Sequence, residues 1–157
     1  MQDMSIDIGL TDAARTSSAQ ALKVLLSETY ALYTKTHGYH WNVTGPRFNE
    51  LHTMFMAQYN ELWLALDLIA ERIRAVGHFA PGSSGEMLEH ATIKPDNGVP
   101  EAADMVKHLA AGHEAVSKAA KAGIKVAEKN NDPVTVDLFT QRAQIAEKTA
   151  WMLRAAT

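Results

Sequence analysis

The sequence predicts an all-α fold: a four-helix bundle in which a long crossover, carrying a short helix, joins helices two and three. Two observations predict it. Apolar residues recur at three- and four-residue spacing through four long stretches, and no stretch alternates at the two-residue period of a strand. The connection from 77 to 99 is rich in Gly, Pro and Ser. It is long for a turn inside a bundle, yet long enough to run the bundle's length and leave helices two and three parallel. The 157 residues, 46% hydrophobic and 21% charged, suit one soluble globular domain with a sizeable core.

Residues 1–10 read as a short N-terminal arm and 11–157 as the bundle domain. Thr11 or Asp12 caps the first helix. Leu22, Leu25, Leu26, Tyr30 and Tyr33 mark its stripe to about Thr36, and His37 and His40 continue that spacing past Gly38. Gly45-Pro46 breaks the chain, with Pro46 suited to the first position of the second helix. That helix runs to about Ala75, where Gly77 can end it. Phe48, Leu51, Phe55, Tyr59, Leu62, Leu66, Ile69 and Ile73 fall on its core side. The crossover's short helix is expected at Gly85–His90. Pro100-Glu101 opens the third helix, striped by Ala103, Val106, Ala110, His113, Val116, Ala120, Ile124 and Ala127. Asn130-Asn131 ends it. Asp132 caps a fourth helix whose apolar side is read as Val134, Leu138, Ile145 and Met152. His113 is expected in the core, and His78, His90 and His108 at the surface. Lys118, Lys121, Lys125 and Lys129 read as a solvated helix face.

Composition excludes several functions. With no cysteine there is no disulfide, thiolate metal site or cysteine nucleophile. A net charge of −3 gives no general attraction to nucleic acid. No segment approaches the ~20 apolar residues of a membrane span. The N-terminus lacks a basic region followed by an apolar run, so no signal peptide is expected and a cytoplasmic location is. No phosphate-binding glycine loop or nucleophile elbow supports a kinase or hydrolase.

Chemistry concentrates between His40 and Arg72. On the second helix, His52, Met56, Trp63 and Asp67 lie within an arc of roughly 60° beside the core stripe, with Glu71 one turn on. Imidazole nitrogens and carboxylate oxygens suit iron, manganese or zinc. Asp67 and Glu71 can share an ion. His52 lies roughly 22 Å from Asp67 along the axis, whereas metal–ligand bonds are about 2 Å. One helix cannot close such a site. Either another element supplies the missing nitrogens or a second copy does. An antiparallel copy related by a two-fold axis near Asn60–Trp63 would set His52 of one chain against Asp67 and Glu71 of the other, making two identical sites. Bundles that hold two metals within one subunit use Glu-x-x-His pairs. This chain has none, and no histidine follows His113.

The run His40-Trp41-Asn42-Val43-x-Gly45-x-x-Phe48-x-x-Leu51-His52, followed by Asp67-x-x-x-Glu71-Arg72, resembles the Dps family of ferritin-like miniferritins. The likeness covers nearly the whole chain, including the Glu147-Lys148-Thr149-Ala150-Trp151-Met152 ending. It implies a hollow homo-dodecamer built from two-fold dimers, with ferroxidase sites across the dimer interfaces. His40 and His52 would come from one subunit, and Asp67 and Glu71 from the other. It implies oxidation of Fe²⁺ by hydrogen peroxide or dioxygen, storage of Fe³⁺ mineral and protection of DNA, with Zn²⁺ or Mn²⁺ able to take the same site. Trp41 resembles the family's electron donor near the iron. Asp132 and Asp137 resemble acids of its iron-entry pores.

One departure matters. Four residues after the second histidine the family usually carries Asp or Glu, and here stands Met56. A thioether is a poor ligand for Fe²⁺. The site is expected to hold one iron firmly and a second weakly, with slower oxidation. Direct DNA binding is not favoured, because the arm lacks Lys and Arg. The alternatives are an architectural DNA-binding cage with a weak metal site, nucleoid-associated, and a purely structural helical dimer.

Overall fold

A computed structural model describes residues 5–157. Residues 1–4 of the expected arm lie outside it. Residues 5–11 run without regular structure to Thr11, whose hydroxyl accepts from the Ala14 amide (3.1 Å) and caps α1, Asp12–Asn42. The other helices are α2 (Phe48–Ala75), α3 (Ser84–Met87), α4 (Ala102–Lys129) and α5 (Pro133–Ala155). Among the described residues there is no strand. No helix there is long and apolar enough to cross a membrane.

α1 packs on α2 and α4, and α4 packs on α5. The fully buried large side chains come from every long helix: Leu22, Leu25 and Leu32, Phe55 and Ile69, Met105 and Leu109, and Phe139. Each buries roughly 1.5–3 kcal/mol of transfer free energy. Cross-helix bonds fix the directions. Arg72 reaches Thr135 and Asp132, while Arg142 reaches Glu61, so α2 and α5 are antiparallel. Ser117 bonds Glu147 and Glu114 bonds Arg154, so α4 and α5 are antiparallel too. α2 and α4 therefore run parallel, as the long crossover predicts.

The crossover is pinned to α1. Buried Glu28 accepts from both the amide and the hydroxyl of Thr92, and Ser27 accepts from the His90 amide (3.3 Å). Asp96 accepts from the buried Tyr39 hydroxyl, with His108 Nδ1 3.0 Å from that oxygen and Lys35 Nζ 3.4 Å from the carboxylate. Burial, reinforced by the bond to Asp96, pushes the Tyr39 phenol far above its usual range.

Phe48 and Ala103, read on core stripes, are exposed, and four further expectations need correction. α2 begins at Phe48, because Pro46 and Arg47 form a turn closed by the Phe48 amide on the Gly45 carbonyl (3.1 Å). The crossover's helix is the single turn Ser84–Met87, capped by Ser83. α5 buries the stripe next to the one read: Thr135, Phe139, Ala143, Ala146, Ala150 and Leu153 face inward, while Val134 and Met152 are exposed. His78 is buried, not superficial, and its Nε2 lies 3.3 Å from the Thr16 hydroxyl. It is drawn in by the turn at Gly77, whose φ of 96° suits glycine. A Cβ there would strike the Arg15 guanidinium at 2.5 Å. The same logic holds Gly123 against Phe139, whose ring atoms would meet a Cβ at 2.5–2.7 Å.

Candidate metal centre

The turn between α1 and α2 brings His40 and His52 face to face. Their rings stack at 3.8 Å and 14°. His40 Nδ1 donates to the His52 carbonyl (2.7 Å), and His52 Nδ1 donates to the His40 carbonyl (2.6 Å). A carbonyl only accepts, so both protons sit on Nδ1. With Nδ1 committed to a carbonyl, Nε2 is the nitrogen left in each ring to ligate a metal. Phe48 stacks on the outer face of His52 at 4.9 Å. The side chains are thus held in orientation by the helix ends themselves.

Asp67 and Glu71 lie on the exposed side of α2. A hydrogen bond that the protonated Glu71 carboxyl donates to Asp67, followed by the Asp67 charge, raises the Glu71 pKa above its usual value. Two crowded carboxylates repel each other, and a cation between them relieves that repulsion. Around them the single chain leaves an apolar face open: Trp63, Leu64 and Leu68 are 59%, 64% and 59% exposed, and Met56 and Trp41 are also exposed. Exposed patches of this kind mark contact surfaces. Among the described residues, no three His, Asp or Glu of one chain gather into a metal-binding group. The structure brings together the two histidines, and separately the two acids, and does not join the pairs within one chain.

Further rings lie beside the histidines. Tyr59 meets His40 edge-on at 5.1 Å and stacks on His37 at 3.9 Å. Trp41 covers the other side of His37 at 4.1 Å. Burial, and then the charge of His40, lowers the His37 pKa. Tyr33 approaches both Tyr59 and Trp63. Sequence reading placed Tyr33 and Tyr59 on core stripes. Their shared spacing with His37 and Trp63 was the available signal that they form one cluster.

The two acids read as pore-lining differ. Asp132 is 1% exposed and caps α5, accepting from the Thr135 amide (3.1 Å) and hydroxyl (2.5 Å), with Arg72 at 3.0 Å. Burial would raise its pKa, but the bonds from Thr135 and Ser18 and the charge of Arg72 hold it below the usual value. Its oxygens are committed inward. Asp137 is exposed and accepts from Gln141 (2.8 Å).

A ferritin-like domain model matches residues 19–157. The chain is 34% identical over 145 residues to the DNA protection during starvation protein of Brevibacillus brevis, a match covering 90% of this chain and 97% of that one. The chain belongs to the Dps family. A low temperature-induced protein of Nostoc is also similar, 37% identical over 152 residues, covering 96% of this chain and 85% of that protein. Among solved structures, this Dps chain matches the Dps protein of Vibrio cholerae with a TM-score of 0.91 at 29% identity, covering 99% and 98% of the two chains. That protein is described as a member of a broad superfamily of ferritin-like diiron-carboxylate proteins. A Dps protein of Bacillus brevis matches with a TM-score of 0.87 at 31% identity, covering 91% and 96%. The all-α, ferritin-like plan expected of a Dps sequence is therefore the plan observed.

Proposed function

We propose that this protein is a ferroxidase and iron store. It assembles as a homo-dodecamer of two-fold dimers in the cytoplasm, oxidises Fe²⁺ with hydrogen peroxide or dioxygen, holds Fe³⁺ as mineral, and so protects DNA. Each iron site takes His40 and His52 from one subunit, and Asp67 of the partner subunit and Glu71 of the partner subunit. The observation that carries this reading is the reciprocal histidine lock. It fixes both imidazoles through Nδ1 and so leaves Nε2 of each as the ring nitrogen for an ion, on a chain whose α2 also carries the two exposed acids. Residues 11–157 form the working unit.

The chemistry follows from the donor set. The two carboxylates bind Fe²⁺ and favour its more highly charged oxidised form, and the imidazoles complete the shell. Two Fe²⁺ ions each give one electron to one peroxide, which takes two protons and leaves as two waters, with both irons left as Fe³⁺. Trp41 stands near the first ligand as an electron donor. Met56 adds no oxygen or charge, so one iron binds firmly per site. Zn²⁺ and Mn²⁺ compete for the same donors. Of the two acids matched to the iron-entry pores, Asp137 is the one available to line them.

Complementation tests the shared site. One variant carries His40→Ala and His52→Ala, the other Asp67→Ala and Glu71→Ala. Each alone is expected to lose Fe²⁺ binding and oxidation. A mixed dimer contains one intact site and one doubly damaged site, so co-assembled cages should recover part of the activity. Mixed cages of normal size that remain inactive would overturn the shared site.

A further inference from the structure

Hydrogen peroxide needs two electrons to become water, and one Fe²⁺ supplies one. A site that holds a single iron must find the second electron elsewhere or release hydroxyl radical. The iron reading above, on which this inference rests, places a second iron at the other site of the same dimer. The two sites lie at opposite ends of the His52–Asp67 segment, roughly 22 Å apart. Any conducting element that runs along this segment in one chain joins them.

Such an element is present. Tyr59 meets His40 at 5.1 Å, Tyr33 meets Tyr59 at 6.4 Å, and Trp63 meets Tyr33 at 5.8 Å. Trp63 stands one helical turn before Asp67, about 6 Å along the axis. The series thus starts against a histidine of one site and ends beside an acid of the other. Each step is far shorter than the whole span. The rings are phenols and an indole, the most readily oxidised aromatic side chains. The Tyr33 hydroxyl lies 3.0 Å from His37 Nδ1. It donates there when the imidazole carries its proton on Nε2, giving the phenolic proton a nearby acceptor. His37 stacks on Tyr59 at 3.9 Å and 9°, which ties the middle of the series together.

We propose that Tyr59, Tyr33 and Trp63 relay electrons between the two iron sites of a dimer, so that two separated irons together reduce one peroxide. At the site where peroxide binds, its iron gives one electron. The relay delivers the other, drawn from the distant Fe²⁺. The O–O bond breaks, two protons are taken from water, two waters leave, and both irons become Fe³⁺. The relay residues begin and end the cycle reduced.

The test uses intact cages and substitutes Tyr33→Phe, which keeps the ring and removes the oxidisable hydroxyl. Tyr59→Phe serves as a second variant should the first fail to assemble. With both sites of each dimer filled by Fe²⁺, wild type should oxidise two irons per peroxide with little spin-trapped hydroxyl radical. Tyr33→Phe should fall toward one iron per peroxide, with a several-fold rise in trapped radical. With mixed Fe²⁺ and Zn²⁺ loading, zinc has no electron to give. Freeze-quenched wild type should then show a tyrosyl radical by electron paramagnetic resonance, absent when both sites hold iron and lost in Tyr33→Phe, whereas a tryptophanyl radical alone would report Trp41 and count against the relay. If iron is oxidised normally and the variants match wild type in stoichiometry, trapped radical and resonance signal, the relay is refuted and the ferroxidase reading stands. If wild type neither binds nor oxidises Fe²⁺, the ferroxidase reading falls and takes the relay with it.

Discussion

Replacing His113 with leucine should flatten the acid sensitivity of this fold. His113 is 3% exposed on α4, and its Nε2 has no partner among the described groups. Burial, and then the positive charge of Arg142, lowers its pKa from 6.5 to about 4. Above pH 6.5 the ring is neutral in both the folded and unfolded chain, so it contributes no pH dependence there. Between 6.5 and about 4 the unfolded chain takes up a proton that the folded chain refuses, and stability falls as pH falls. Below about 4 the loss is complete, at roughly 3 kcal/mol, and it is roughly 2.5 kcal/mol at pH 4.5. Denaturant unfolding of wild type and His113→Leu, at pH 7 and pH 4.5 and at one protein concentration, measures this. All other titrating groups are common to both proteins and cancel in the difference. The variant should lose less stability on acidification by about that 2.5 kcal/mol. Equal losses in the two proteins would refute the assignment of a neutral, charge-excluding His113.

Other predictions follow from packing and from the site. Glu61→Ala strands the Arg142 guanidinium, which is 5% exposed and held by two 2.7 Å bonds. It should cost about 2 kcal/mol in unfolding experiments, below the range of fully buried pairs because Glu61 is partly open to water. Gly123→Ala drives a methyl into the Phe139 ring and should cost about 1–3 kcal/mol, with Phe139→Leu in the same chain relieving part of it. Met56→Glu should raise the number of tightly bound Fe²⁺ per site from one toward two in anaerobic titration and speed oxidation. Two equally tight ions already present in wild type would contradict the role given to Met56.

Much of this fold was legible because large apolar residues carry the period. Leu22, Leu25 and Leu26, and Phe55 with Ile69 and Ile73, leave little choice of inward face. α5 was misphased for the converse reason. Its core side is built largely from Ala143, Ala146 and Ala150, so the bulkier Val134, Ile145 and Met152 on the adjoining stripe outweigh it. The position of His78 depends on a glycine turn and a contact with Thr16, 62 residues away in sequence, which no local pattern reports. Asp96, Tyr39 and His108 meet through the same kind of long-range closure. The candidate centre was partly legible. Spacing alone separated His52 from Asp67 and Glu71. The pairing of His40 with His52 required the turn at Gly45 and Pro46 to fold α2 back on α1, and the mutual carbonyl bonds came only with the structure.

Those carbonyl bonds bear on how the proposed site fills. Each imidazole is anchored by main-chain oxygen whether or not an ion is near, so the nitrogen donors need no reorganisation on loading or emptying. Under the ferroxidase reading proposed above, the histidine half of the site is therefore in place before loading, and filling it leaves the ends of α1 and α2 where they began.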